Sequence, residues 1–260
     1  MKIPFCKAHG AKNDFLLTWA GETSHFTPQV ARAICDRYTG VGADGWMLVF
    51  DAPSIRLLNS DGSEAELSGN GTRCAAAFLI HNGKAADKLS IRTGAGEKQL
   101  RLVERQGLKY VFEMNMGSPR VIDPRFRLTL RAGSREVTLI DVGNPQCVLL
   151  VPNFEVDWRS LGAEIESHAH FPRRTNVSFV RRVDDHTIDV RFYERGAGET
   201  MSSGTGSTGA VVAAVTHGWV QSPVTVITPA GNLALRWEGD IFLTGPAEIV
   251  AEGVFHYDEV

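Results

Sequence analysis

The chain has 260 residues, 43% hydrophobic and 22% charged, with 26 glycines and 11 prolines, and its formal net charge is −3. That is an ordinary globular composition, long enough for one large domain or two small ones, and it excludes a disordered, collagen-like or low-complexity chain. Its charge offers no footprint for nucleic acid, no run approaches the ~18 apolar residues of a membrane span, and the Met1-Lys-Ile-Pro-Phe-Cys6 start lacks an apolar signal core, so a cytoplasmic location is expected.

Most of the chain reads as strands. Short runs rich in Val, Ile, Leu and Phe, bounded by Gly, Pro or Asp, occur at 2–7, 14–19, 46–51, 54–59, 89–93, 98–104 and 109–115. They recur at 126–130, 136–142, 147–151, 177–183, 187–193, 223–227, 232–237 and 240–243. Helical patterns are few. Residues 28–38 open with Thr27 as a cap and Pro28 at the first position. Residues 71–82 are Ala-rich, 157–167 are amphipathic, and 206–217 repeat the pattern of 71–82. The expected class is α+β with antiparallel strands dominant.

Sliding the chain on itself by 135 residues exposes a repeat. Ser68-Gly-Asn-Gly-Thr-Arg-Cys falls on Ser203-Gly-Thr-Gly-Ser-Thr-Gly, Glu64 on Glu199, and Thr93-Gly-Ala-Gly96 on Thr228-Pro-Ala-Gly231. With an offset near 131 the Asn13 turn meets the Asn144 turn. The period is too long for a solenoid. It predicts two domains of one shared fold, 1–117 and 118–247.

In each half a serine precedes Gly-X-Gly and an apolar helix begins. The glycines admit close approach of a ligand, and the helix N-terminus aims unpaired N–H groups at it, which suits a carboxylate or phosphate. A tight turn with serine as helix cap is the structural alternative. Neither turn has a dinucleotide or P-loop spacing. The four cysteines, at 6, 35, 74 and 147, form no CxxC pair and are expected as reduced thiols, with Cys74 and Cys147 structural. The eight histidines show no metal-ligand spacing, and no metal is expected.

These segments resemble the diaminopimelate epimerase family over nearly the whole chain. The resemblance rests on His9-Gly-Ala-Lys-Asn-Asp-Phe15, Gly40-Val-Gly-Ala-Asp44, Asn59-Ser-Asp-Gly-Ser-Glu64, Gly69-Asn-Gly-Thr-Arg-Cys74, Gly143-Asn-Pro145, Asn176, Glu194-Arg-Gly-Ala-Gly-Glu-Thr200 and Gly204-Thr-Gly206. It implies two pseudo-symmetric domains, each a mostly antiparallel sheet wrapped around a central helix, and a last strand, at about 248–260, that returns to the first domain. It also implies cofactor-independent inversion at an amino acid Cα between LL- and meso-diaminopimelate, in lysine and peptidoglycan precursor synthesis, by a homodimer. The family's ligand contacts fall on Asn13, Asn59, Gly69, Asn70, Asn144, Asn176, Glu194, Arg195, Gly204 and Thr205.

The chemistry fits that inventory. Inversion needs a base on one face of Cα and an acid on the other. Helix N-termini stabilise the charge that builds on the adjacent carboxylate. Amides serve both ends of an amino acid, Arg195 can grip a carboxylate, and Glu194 can meet a cation.

The chain departs from the family at four places. The family's catalytic cysteines are here Ser68 and Ser203, its histidine after Gly-Asn-Pro is Gln146, and its glutamine after Gly-Ala-Asp is Gly45. A serine hydroxyl is far less acidic than a thiol, so as a carbon-acid base it needs a helper, and Glu194 and Glu199 are the nearby candidates. Three readings stay open from sequence: an epimerase running Ser/Ser chemistry, an introduced double cysteine replacement, or a relative with another amino acid substrate or a non-catalytic site. A non-catalytic amino-acid-binding protein is the alternative from a different class.

Overall fold

The computed structural model describes residues 1–258. The chain divides into two compact units, Met1–Met114 with the stretch from Gly245 onward, and Asn115–Thr244.

The first unit runs β1 (Lys2–Gly10), β2 (Asn13–Trp19), α1 (Pro28–Cys35), β3 (Gly45–Phe50), β4 (Ser54–Asn59), β5 (Glu64–Ala65), α2 (Gly69–His81), β6 (Lys88–Thr93), β7 (Gly96–Gln106) and β8 (Lys109–Gly117). The second runs β9 (Arg120–Leu130), β10 (Gly133–Asp141), β11 (Pro145–Leu150), α3 (Trp158–Glu166), β12 (Asn176–Asp184), β13 (Thr187–Glu194), β14 (Gly198–Thr200), α4 (Gly204–Thr216), β15 (Val224–Thr228) and β16 (Gly231–Glu238). One long strand closes the chain, β17 (Asp240–His256). Its first residues pair with β16, and Glu248 to His256 pair antiparallel with β1. Burial alternates along β17 from Asp240 to Ile249, so a single period-2 pattern carries it from one unit to the other.

The repeat seen in sequence is a repeat of strand register. In the first unit β2 pairs parallel with β3, Phe15 opposite Gly45, and in the second β11 pairs parallel with β12, Gln146 opposite Asn176. Leu58 faces Glu64 as Tyr193 faces Glu199, and Thr93 faces Gly96 as Thr228 faces Gly231. Even the turn chemistry recurs: Thr93 Oγ1 donates to Gly96 O at 2.8 Å, and Thr228 Oγ1 to Gly231 O at 2.7 Å.

The two central helices begin at residues 69 and 204, and every residue from the start of each through Leu79 and Ala214 is buried. Helices buried on every side are core helices. α2 packs on β1, β2 and β6, and α4 on strands β9 to β13, β15 and β16. Small residues permit this enclosure. A Cβ on Gly71 would lie 2.8 Å from Met47 Cε, and one on Gly206 would lie 2.8 Å from Phe192 Cδ1. So the second glycine of each Gly-X-Gly seats the helix start against a core side chain.

One helix is shorter than its pattern. α1 stops at Cys35 rather than at Tyr38, because Asp36 Oδ1 takes the N–H groups of Tyr38 and Thr39 at 2.9 and 2.6 Å. This side chain offers the backbone a turn in place of a further helical bond.

Candidate active site

In the first unit Ser68 is the N-cap of α2, its Oγ accepting from Gly71 N at 3.1 Å. A two-residue turn joins β1 to β2, and both of its residues, Ala11 and Lys12, have positive φ (50° and 60°). Such turns match the twist of a hairpin but strain residues other than glycine. This one delivers Asn13 to the helix start. Asn70 Nδ2 donates to Asn13 Oδ1 at 3.2 Å, and Asn13 Nδ2 to Asp44 Oδ2 at 2.7 Å.

Behind Asn13 lies a charge cluster. Arg37 Nη2 bonds Asp14 Oδ1 at 2.7 Å and Asp44 Oδ1 at 2.8 Å, while Lys7 Nζ lies 3.1 Å from Asp14 Oδ2. Burial pushes the Asp14 pKa up, but its bonds to Arg37 and Lys7 outweigh that and hold it below the usual carboxylate range. Asn59, at the end of β4, donates from Nδ2 to Ser63 Oγ at 3.0 Å and is half-buried.

In the second unit Ser203 caps α4, accepting from Gly206 N at 3.0 Å. It also has what Ser68 lacks in its own unit. Ser203 Oγ donates to Glu194 Oε2 at 2.9 Å, and Thr200 Oγ1 donates to Glu194 Oε1 at 2.6 Å. Asn144 immediately precedes β11. Its Oδ1 accepts from Gln146 Nε2 at 2.7 Å, and its Nδ2 donates to Thr205 Oγ1 at 3.4 Å. Asn176 bridges two segments, donating to Pro145 O at 3.1 Å and accepting from Arg195 N at 3.0 Å. Arg195 is exposed, and its guanidinium has no hydrogen bond or ion pair among the described residues.

The seat of that loop is Glu166, only 5% exposed, whose Oε1 accepts from Gly196 N at 3.0 Å and Arg174 Nη1 at 3.1 Å. Of the two carboxylates named from sequence as helpers, Glu199 is not at Ser203. It is gripped in bidentate fashion by Arg159, at 2.6 and 2.9 Å.

The sequence model of diaminopimelate epimerase matches residues 5–122 and 138–250. The chain belongs to the diaminopimelate epimerase family. A diaminopimelate epimerase of Pelotomaculum thermopropionicum is 38% identical, over 97% of this chain and 99% of that relative. One of Ectopseudomonas mendocina is 37% identical over the same shares. Among solved structures, a phenazine biosynthesis protein of the PhzF family from Bacillus anthracis has a similar fold, with a TM-score of 0.75, 15% identity and coverage of 98% of this chain and 99% of that one. A hydroxyproline epimerase from Agrobacterium vitis gives a TM-score of 0.73 at 14% identity, covering 97% and 92%. These structural likenesses bear on the fold alone.

Two departures from the diaminopimelate epimerase pattern have structural correlates. A Cβ on Gly45 would lie 2.9 Å from Leu58 O and 3.0 Å from Leu57 Cδ1, so the backbone and core occupy that side-chain position. Gln146 is 2% exposed and lies against Gly209, and its Oε1 is buried without a partner. All four cysteines are buried free thiols. Burial pushes the Cys74 thiol up to about 12 and raises Cys147 as well.

Sequence reasoning did not single out Asp44, Arg73 or Glu166. Asp44 and Arg73 stand inside quoted motifs, but nothing local announces that their side chains hold the amides. Glu166 looks like one more charge on an amphipathic helix.

Proposed function

We propose that the chain inverts an amino acid at Cα, interconverting LL- and meso-diaminopimelate without a cofactor, with Ser68 and Ser203 at the two proton-transfer positions. The observation that carries the reading is the bond from Ser203 Oγ to Glu194 Oε2 at 2.9 Å, at the start of a buried helix. A hydroxyl facing a carboxylate has somewhere to send its proton, which supplies the base that serine alone does not. Glu194 takes the Ser203 proton as Ser203 Oγ removes the proton from Cα. Ser68 Oγ–H gives a proton to the opposite face of the carbanion, and solvent reprotonates Ser68 and takes the proton from Glu194. The N-terminal N–H groups of the helices stabilise the charge that develops on the adjacent carboxylate.

Asn13, Asn59, Asn70 and Asn144 supply amides to the substrate, together with Gly69, Gly204 and Thr205 at the helix starts. Asn176 holds the backbone of Arg195, whose guanidinium is left to pair with the carboxylate of the non-reacting end. The substrate class is a small amino acid. No helix among the described residues is long and apolar enough to cross a membrane. The buried free thiols suit a reducing cytoplasm, and a homodimer rests on the family resemblance alone.

The test is solvent deuterium exchange at Cα with LL- and meso-diaminopimelate, beside other amino acids. Exchange with interconversion of the two diaminopimelate isomers is the expected result. Binding without exchange makes the chain an amino-acid-binding relative. Exchange of another amino acid alone transfers the activity to that substrate, and neither binding nor exchange removes the reading.

A further inference from the structure

We infer that Arg73 is a positioning residue: it sets which ends of the Asn70 and Asn13 amides are free for a ligand, and leaves its own charge for an anionic ligand to balance. The inference rests on the amino-acid reading above, since the anion it needs is a substrate carboxylate.

Arg73 lies in the second turn of α2 and is fully buried. Its contacts are all neutral: Nε donates to Pro246 O at 3.1 Å, Nη1 to Gly69 O at 3.3 Å and Nη2 to Asn70 Oδ1 at 2.5 Å. Among the described residues no carboxylate pairs with it, and burial lowers its pKa to about 10. An apolar residue of the same length would avoid the cost of burying an unpaired cation. The guanidinium therefore needs a role beyond packing.

That role follows from donor and acceptor counting. A guanidinium only donates, so the Asn70 side chain must turn its oxygen to Arg73 and its nitrogen away. The nitrogen then donates to Asn13 Oδ1 at 3.2 Å, which in turn sends Asn13 Nδ2 to Asp44 Oδ2 at 2.7 Å. Asp44 is held from its other oxygen by Arg37 at 2.8 Å. The chain starts on a group that can only donate and ends on a carboxylate that only accepts, so neither amide can turn over without breaking a charge-assisted bond. Among the described residues each amide keeps one uncommitted N–H, beside the start of α2, where the Gly69 and Asn70 N–H groups have no acceptor. The face is donor-only, the complement of a carboxylate.

The second unit lacks this lock. Thr208 stands at the position of Arg73 and donates to Gly204 O at 2.9 Å, and Asn144 is held by Gln146 instead.

The test uses the full chain with 15N-labelled asparagine side chains. In the unliganded protein the Asn13 Nδ2 proton bonded to Asp44 is expected to exchange slowly with solvent. Arg73→Met keeps a stem of similar length but removes the donors, and Asp44→Asn replaces the terminal acceptor at a half-exposed site. Both are expected to speed that exchange by about tenfold or more and to raise KM for diaminopimelate about tenfold, with kcat little changed, as for a lost ground-state contact. The double variant Arg73→Met/Asn70→Ala is expected to bind no worse than Asn70→Ala alone, because Arg73 reaches both amides only through Asn70 Oδ1.

Unchanged Asn13 proton exchange in the folded variants overturns the inference, as does a double variant whose losses multiply. If the wild type neither binds nor exchanges diaminopimelate, the proposed function falls, and the amide-exchange measurement still decides the relay.

Discussion

Ser203 Oγ donates to Glu194 Oε2 at 2.9 Å, nine positions apart in the chain. Ser68, at the matching place in the first unit, accepts from Gly71 N and has no such carboxylate partner there. The residue that falls on Glu194 at the 135-residue offset is Asn59, an amide. The two serines are alike as caps and unlike as bases. Glu194→Gln keeps the shape and removes the proton acceptor, and should lower Cα exchange by about 10²-fold or more. Exchange that survives the change would take Glu194 out of the base role. Replacing both serines with cysteine should raise exchange sharply near neutrality, since a thiolate is easily populated at a helix N-terminus. If only Gln146→His raises it, the missing histidine is the bottleneck.

Among the described residues the Arg195 guanidinium has no partner, while its backbone is anchored to Asn176 at 3.0 Å. Arg195→Ala should weaken diaminopimelate binding by about 2–5 kcal/mol, with little change in melting temperature. Calorimetry on the variant reads the affinity directly, and an unchanged affinity assigns the carboxylate to other groups.

The thiols should be bystanders. Burial pushes Cys6, Cys35 and Cys74 up to about 12, so the reactive thiolate is scarce at neutral pH. Iodoacetamide should leave both the native thiols and the Cα exchange untouched, and should label all four cysteines only after unfolding. Loss of exchange on native labelling would place a cysteine in the chemistry.

Asp14 ties Lys7 and Arg37 together beneath Asn13, and its folded pKa is depressed. The sign follows: its stabilisation is present above the pKa of an unfolded aspartate, about 3.9, and is lost as pH falls through the lower folded value. Asp14→Asn should cost about 1.5–3 kcal/mol at neutral pH, the scale of hydrogen bonds to charged groups, and the deficit should shrink in acid. Urea unfolding of both proteins between pH 7 and 2 measures this. A pH-independent deficit would show that the loss is steric rather than ionic.

Gly45 occupies the family's glutamine position where a Cβ would lie 2.9 Å from Leu58 O. Gly45→Gln should therefore destabilise the fold by about 1–3 kcal/mol, as overpacking does. An equal or higher urea midpoint would show that β3 and β4 shift apart freely.

The sequence by itself determined the two-fold repeat, most of the strand runs and both central helices, which begin at Gly69 and Gly204, two residues earlier than the 71 and 206 read from it. These are local properties: period-2 burial, a serine cap, and a Gly-X-Gly that fits a helix against Met47 or Phe192. It also supplied the motifs that carry the family, because each is contiguous.

Tertiary structure alone decided the partners. In the linear chain Glu194 and Glu199 are both nearby helpers, with Glu194 the one expected to be catalytic beside Ser68 and Ser203. The β13–β14 hairpin places Glu194 on Ser203, and α3 presents Arg159 to Glu199. Arg73 reads as a motif residue until α2 is enclosed and its Nε meets Pro246 O, 173 positions away. Helix and strand propensities act over a few residues, whereas the choice of acceptor for a buried donor depends on which distant strand the fold brings beside it.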